Sequence, residues 1–147
     1  MKKEIRLARL EDLDEIFQLD KTIFDKPWSK ETIKESILSK YSHEILLIDK
    51  EKNKLIAYLS YEDIYGDINI NKIACLKDYR RKGIAGELIK YLFDYTDKNK
   101  SNKIMLEVSS KNIEAINFYK KFNFKKIYTR DNYYGPDDHA LIMERKL

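Results

Sequence analysis

The stretch IACLKDYRRKGIAG, Ile73 to Gly86, joins an apolar strand to the start of a helix through three consecutive basic residues and a glycine. A helix leaves its first four N–H groups without intrahelical partners at the positive end of its dipole. A strand that feeds straight into a helix therefore presents a site for an anion. Arg80, Arg81 and Lys82 add positive charge there. Gly83 removes a side chain where the backbone must approach a ligand closely, and Ala85 and Gly86, after Ile84, keep the first turn slim. The segment Arg80 to Gly86 is expected to hold a phosphorylated cofactor. Two familiar phosphate loops do not fit: Gly86 is followed by Glu87 and not by the Lys-Ser/Thr of a P-loop, and Gly83 with Gly86 supplies too few glycines for a dinucleotide fingerprint.

Outward from this segment, length and composition narrow the class. A chain of 147 residues with 43% hydrophobic content suits one compact domain over residues 1–147 with a real core, and a second domain is not expected. The 29 basic and 25 acidic residues are interspersed and leave a net charge of only +4, too weak a field to argue for a nucleic-acid partner. Cys75 is the only cysteine, which excludes a disulfide framework or a metal quartet and suits a reducing compartment. Met1-Lys2-Lys3-Glu4 runs straight into Ile5-x-Leu7 with no apolar leader and no membrane-spanning run, so a soluble, cytoplasmic protein with no membrane partner is expected.

The apolar periodicity alternates between strand and helix. Lys3 to Ala8 reads as a strand, and about Leu10 to Phe24 as a helix with Leu13, Ile16, Phe17 and Leu19 on one side. Ser29 is placed to cap a second helix carrying Ile33, Ile37, Leu38 and Tyr41. Ile45 to Ile48 and Leu55 to Asp63 read as strands joined by a lysine-rich turn. Asp67 to Cys75 is a fourth strand in which Ile68 and Ile70 share one parity while Ile73 and Cys75 share the other. Either both faces are buried near its end or a bulge resets the register. A third helix with Ile84, Leu88, Tyr91, Leu92 and Tyr95 ends near Asn99, and a fifth strand spans Lys103 to Val108. A fourth helix spans Asn112 to Phe122, with Asn123 in the place of a left-handed cap. Strands at Lys125 to Arg130 and Ala140 to Lys146 flank a tyrosine-rich loop. The order β-α-α-β-β-β-α-β-α-β-β predicts an α/β (α+β) fold, a mixed sheet with helices on both faces.

Arg80-x-x-Gly83-x-Ala85 resembles the acyl-coenzyme A pyrophosphate loop of the GNAT superfamily of N-acetyltransferases, R/Q-x-x-G-x-G/A, and the element order is the one associated with that superfamily. Leu106-Glu107-Val108, then Asn112, then Ala115-Ile116-x-Phe118-Tyr119-x-x-Phe122-x-Phe124 resembles the LEV...N...AI.LY..LGF signature of the bacterial ribosomal-protein-alanine N-acetyltransferases and their archaeal protein N-terminal relatives. Pro27-Trp28-Ser29 and Asn132-Tyr133-Tyr134 match two further segments, so the resemblance runs from about residue 24 to 143. Three positions depart from it: Ser109 stands where arginine is usual, Asn123 replaces glycine, and Gly135 precedes the proline that usually follows the second tyrosine. Asn123 is benign, since asparagine also visits the left-handed region. The other two touch the acceptor side.

The resemblance implies acetyl-coenzyme A as co-substrate, direct acetyl transfer to an amine in a ternary complex, and a protein N-terminus, foremost of a ribosomal protein, as acceptor. An α-amine with a pKa near 7.8 is roughly one-seventh neutral at pH 7, a lysine amine near 10.4 roughly one part in 2,500, so a protein N-terminus asks less of a base. Glu107, a carboxylate near the end of an otherwise apolar strand, is the candidate base, directly or through water; the alternative is a solvated glutamate. Tyr119 is the candidate acid for the leaving thiolate. From a tyrosine near 10 to a thiol near 8.5 the transfer is uphill by about 2 kcal/mol, so Tyr119 acts mainly as a hydrogen-bond donor or has a lowered pKa; otherwise it is a core tyrosine.

Asn112 reads as an N-cap, to which the resemblance adds a hydrogen bond to the pantetheine arm. Cys75 reads as a small buried hydrophobe, and the resemblance implicates the backbone of Ile73, Ala74 and Cys75 in holding the pantetheine and thioester. Trp28, Tyr133, Tyr134 and Asp138 are the candidates to line a peptide groove, or else lids over the core. His43 and His139 have no metal-ligand spacing, and no metal is predicted. A small-molecule amine or a lysine side chain remains the alternative acceptor. A non-catalytic acyl-coenzyme A-binding module is the third reading, and Glu107 together with Tyr119 argues against it.

Overall fold

In a computed structural model that describes residues 1–147, the chain runs in the expected order. The elements are β1 (Lys3–Leu7), a 3-10 turn (Leu10–Asp12), α1 (Leu13–Ile23), α2 (Lys30–Leu38), β2 (Ser42–Asp49), β3 (Lys54–Ile64), β4 (Asp67–Cys75) and a second 3-10 turn (Lys77–Tyr79). There follow α3 (Ile84–Asn99), β5 (Lys103–Ser109), α4 (Ile113–Lys121), β6 (Lys125–Gly135) and β7 (Asp138–Lys146). Local chemistry sets several of the ends. The Ser29 hydroxyl accepts the Thr32 N–H at 3.1 Å to start α2. Asn123, at φ 67°, ends α4 in a left-handed turn in which the Phe124 N–H donates to the Tyr119 carbonyl at 3.2 Å. The rings of Tyr119 and Phe124 close that turn, their centroids 5.6 Å apart.

Two regions differ from the sequence expectation. Helix α2 stops at Leu38 because Ser39 is extended, which leaves Tyr41 outside it. Strand β2 begins at Ser42 and takes in Glu44, a buried carboxylate that accepts hydrogen bonds from the Ser36 and Ser60 hydroxyls. The second difference lies at the C-terminal end: the tyrosine-rich segment is no loop, since β6 runs on to Gly135 and β7 begins at Asp138.

The seven strands form one sheet in the order β1-β2-β3-β4-β5-β7-β6. Its two faces bury separate cores. Ile45, Leu47, Leu59, Ile68, Ile70, Ile104, Leu106 and Val108 pack with Ile84, Leu88 and Leu92 of α3, while Leu46, Tyr58 and Ala74 pack with Ile16 and Leu19 of α1 and Ile33 of α2. The parity switch in β4 is a bulge: Ser60 pairs with Lys72 and Tyr61 with Ile70, which leaves Asn71 outside the strand register. Beyond it Ala74 faces the α1 side, whereas Ile73 and Cys75 pack on the α3 side.

Strands β4 and β5 are the only parallel neighbours, and they pair only from Asp67–Ile70 to Lys103–Leu106. Past that point β4 is bonded to β3 alone and β5 to β7 alone, so a gap opens between their C-terminal halves. Helices α3 and α4 start beyond those two strand ends. A crevice at the carboxyl ends of diverging strands is where open α/β sheets hold ligands. No helix is long and apolar enough to cross a membrane.

Candidate active site

The turn from β4 into α3 is shaped for an anion. Arg81 (φ 62°) and Gly83 (φ 76°, ψ 9°) are both left-handed, and Gly83 caps α3. The N–H groups of Arg81, Lys82, Gly83, Ile84, Ala85 and Gly86 find no acceptor within the protein. Successive unpaired N–H groups at a helix N-terminus form a concavity that an anion fills. A Cβ on Gly83 would meet nothing within 4 Å, so the space above it is open. The loop is braced from behind. The Arg80 Nε donates to the Cys75 carbonyl at 3.2 Å, tying the turn to β4, and the Tyr79 hydroxyl donates to Asp49 Oδ2 at 2.9 Å.

Arg81 and Lys82 are exposed and have no ion-pair partner, and Lys82 lies only over the Tyr79 ring, 5.6 Å away. Gly86 has another reason from the one read in the sequence. A Cβ there would come within 3.3 Å of Phe122 Cζ, so the missing side chain lets α3 pack against Phe122, and only its N–H belongs to the unpaired set.

The gap itself is flanked by several of the residues singled out in the sequence. The edge of β4 that faces β5 has no strand partner beyond Ile70, which leaves Ile73, Ala74 and Cys75 along its open side. The Cys75 thiol is half-buried, and burial pushes its pKa up against the opposing pull of Arg80, in keeping with a packed thiol and not a nucleophile. Asn112 caps α4, its Oδ1 accepting the Ala115 N–H at 3.1 Å. Its Nδ2 has no acceptor within the protein and is left to donate outward.

Glu107 follows Leu106, the last β5 residue paired with β4. The burial of β5 alternates, Ile104, Leu106 and Val108 being in the α3-side core, so Glu107 faces the other side of the sheet. Its side chain keeps 36% of its surface exposed, and Oε1 lies 3.6 Å from Arg130 Nη1. It accepts no hydrogen bond within the protein. Arg130 in turn lies 5.5 Å from the Tyr133 ring, whose centroid is 5.1 Å from that of Tyr134. Burial, followed by the charge of Glu107, raises the Tyr134 phenol above its ordinary pKa.

The candidate base and the tyrosine pair therefore share one surface. What brings them together is a wide bulge in β6: between the pairs Arg130 with Ala140 and Gly135 with Asp138, residues 131–134 stand opposite His139 alone. Asn132, at φ 53°, donates its N–H to His139 Nδ1 at 2.9 Å and accepts the Asp137 N–H at 2.9 Å, which fixes the bulge. Asp138 does not stand open to a groove. Its carboxylate accepts the Ser109 hydroxyl and pins the hairpin to β5, a cross-strand contact that spacing along the chain does not reveal.

Tyr119 is half-buried against the α3-side core, with its ring edge-on to Phe118 and Phe124. Burial pushes its pKa up to about 12, and its hydroxyl has no partner in the protein. Full proton transfer from Tyr119 to a thiolate with a conjugate acid near 8.5 would then cost about 5 kcal/mol, more than the sequence suggested. His43 lies tilted against the rings of Tyr61 and Tyr95, with centroids 5.1 Å and 6.1 Å away.

Trp28 is turned against the sheet, its ring 4.1 Å from Lys72 Nζ. Lys72 pairs at 2.9 Å with Asp20, a carboxylate with no exposed surface. Sequence reasoning missed Asp20, Lys72 and Arg130. The available signals were a charge on the apolar face of α1, after Ile16 and Leu19, and a lysine inside the apolar run of β4. A cavity of about 330 Å³ lies elsewhere, between α1 and the start of β3, and is lined in part by the carboxylates of Asp14 and Glu15.

The family model described as the Acetyltransferase (GNAT) family matches residues 13–124. An N-alpha-acetyltransferase of Saccharolobus solfataricus is 30% identical over 161 residues, covering 97% of this chain and 92% of the relative. A ribosomal protein bS18-alanine N-acetyltransferase of Escherichia coli is 27% identical over 135 residues, covering 90% of this chain and 89% of the relative. In fold, the crystal structure of the ribosomal-protein-alanine N-acetyltransferase from Escherichia coli superposes with a TM-score of 0.90 at 23% identity, over 99% of this chain and 94% of that one.

Proposed function

Because this chain belongs to the acetyltransferase (GNAT) family, an N-acetyltransferase whose co-substrate is acetyl-coenzyme A, we propose that its acceptor is the N-terminal α-amine of a protein, foremost a ribosomal protein. The observation that carries this reading is the placement of Glu107 beside the gap, on the surface it shares with Arg130, Tyr133 and Tyr134. An open surface of this kind suits a short extended peptide. The names of the relatives point the same way.

The residues present fit acetyl-coenzyme A. The unpaired N–H groups from Arg81 to Gly86, with the Arg81 and Lys82 side chains, would take its pyrophosphate. The open edge of β4 at Ile73 to Cys75 and the Asn112 Nδ2 would hold its pantetheine arm. When bound it supplies an acetyl thioester, open to attack by a neutral amine. Glu107 takes the proton from that amine, directly or through one water. Its carboxylate has no hydrogen bond to give up first, and Arg130 meets only Oε1. Tyr119 keeps its proton up to about pH 12 and serves as a hydrogen-bond donor. Trp28, Tyr133 and Tyr134 form the acceptor side, with Asp138 holding the hairpin in place through Ser109.

The acceptor is tested with peptides that share one sequence. A peptide with a free N-terminus and no lysine is expected to be acetylated, as read by mass spectrometry, and its N-blocked, lysine-containing counterpart is not. Acetylation of the blocked peptide or of a free polyamine, with the free N-terminus untouched, transfers the reading to lysine or small amines.

The role of Tyr119 is tested by Tyr119→Phe, which keeps the ring against Phe118 and Phe124 and deletes only the hydroxyl. Since that hydroxyl has no partner in the protein, the melting temperature is expected to stay within about 2 °C while kcat falls about 10-fold or more. Normal turnover with a melting point several degrees lower assigns Tyr119 to the core.

A further inference from the structure

The Asp20 carboxylate is wholly buried and gathers groups from β3, β4 and the segment between α1 and α2. Its Oδ2 accepts the Trp28 N–H at 2.7 Å, its Oδ1 accepts the Tyr58 hydroxyl at 2.5 Å, and Lys72 Nζ reaches both oxygens at 3.2 Å and 2.9 Å. The Lys72 ammonium is boxed in by the rings of Trp28 at 4.1 Å and Phe24 at 4.3 Å. A buried ion pair is a poor way to gain stability, because desolvation offsets most of the attraction and apolar replacements often do as well. What this one does is mechanical. It joins the segment after α1, which carries Phe24 and Trp28, to the stretch of β4 just past the bulge at Asn71. The bulge turns Lys72 toward α1, whereas Ile70 before it packs on the α3 side. Glu107, one residue past the last β4–β5 pair, faces that same side. Lys72 and Glu107 thus stand on one face of the sheet, on the two strands that diverge.

We propose that the Asp20–Lys72 pair is a positioning device for the acceptor: it fixes Trp28 against the bulged half of β4, on the face that carries Glu107, and so sets acceptor affinity without touching the anion site at α3. This rests on the acetyl-transfer reading above. The pair can be neutralised without stranding a buried charge by combining Asp20→Asn with Lys72→Met. Trp28 is the only tryptophan, so its fluorescence reports directly on peptide binding.

The double variant is expected to raise the peptide KM, and the peptide Kd read from Trp28 fluorescence, about 10-fold, while acetyl-coenzyme A affinity by calorimetry changes less than about 2-fold. Lys72→Arg, which keeps the charge and the ring contacts, is expected to retain the peptide KM within about 3-fold. An unchanged peptide KM in the double variant, or a parallel loss of acetyl-coenzyme A affinity, overturns the proposal. Should the double variant not fold, Tyr58→Phe removes one donor to Asp20 conservatively, and a peptide KM that does not rise there overturns it too. Wild-type protein run alongside keeps the two questions apart. If it acetylates no protein N-terminus the acceptor reading fails, and the variant's KM for the amine it does acetylate still decides about the pair.

Discussion

Glu107→Gln is expected to lower kcat by about 10²-fold or more at neutral pH, with acetyl-coenzyme A affinity by calorimetry near that of wild type. The substitution keeps the shape of the side chain and removes only the carboxylate charge. Nothing in the fold depends on that charge. Glu107 lies outside both cores, accepts no hydrogen bond, and has only the 3.6 Å ion pair with Arg130, in which both side chains are solvated. An exposed pair of that kind contributes about 0–1 kcal/mol, so the melting temperature should hardly move. A fall in turnover in a protein of unchanged stability and cofactor affinity therefore isolates proton removal from the amine. Full activity in this variant means that the amine loses its proton to water or to another group.

The second large effect is expected at the cradle. Gly83→Val should abolish measurable acetyl-coenzyme A binding, because a side chain there would project into space that the protein leaves open beside the unpaired N–H groups. Gly83 is also left-handed at φ 76°, so valine adds backbone strain of about 1–2 kcal/mol, which thermal unfolding measures separately. Gly86→Ala is the control. Its Cβ meets Phe122 at 3.3 Å inside the protein, so it should lower the melting temperature and leave cofactor affinity largely intact. A folded Gly83→Val protein that binds acetyl-coenzyme A as tightly as wild type would refute the phosphate-cradle reading.

The features legible in the sequence are those whose causes lie within a few residues. The Ser29 and Asn112 caps, the left-handed Asn123 and the span of β4 each follow from side chains acting on their own backbone or from the period of apolar positions. The bulge in β4 was legible as one of two readings, because a switch of parity must be met by a bulge or by burial of both faces. The turn into α3 was legible for the same reason, since its glycine, its basic residues and its helix start are consecutive. The features that escaped depend on partners far along the chain. Lys72 lies 52 residues from Asp20, and Asp138 lies 29 from the Ser109 that occupies it. The space at Gly86 belongs to Phe122, and the rise of Tyr119 comes from burial alone.

The sequence by itself determined the element order, the mixed sheet with helices on both faces, and a basic, glycine-capped turn at the start of α3, because hydrophobic periodicity and helix-end chemistry act over one or two turns of chain. Only the tertiary structure decided that β4 and β5 part after Ile70 and Leu106, that the β6 bulge brings Tyr133 and Tyr134 to Glu107, and that Asp20 and Lys72 lock Trp28 against β4. Strand pairing and burial choose those neighbours through space, and a charge finds its partner, or loses its water, only once the sheet has closed around it.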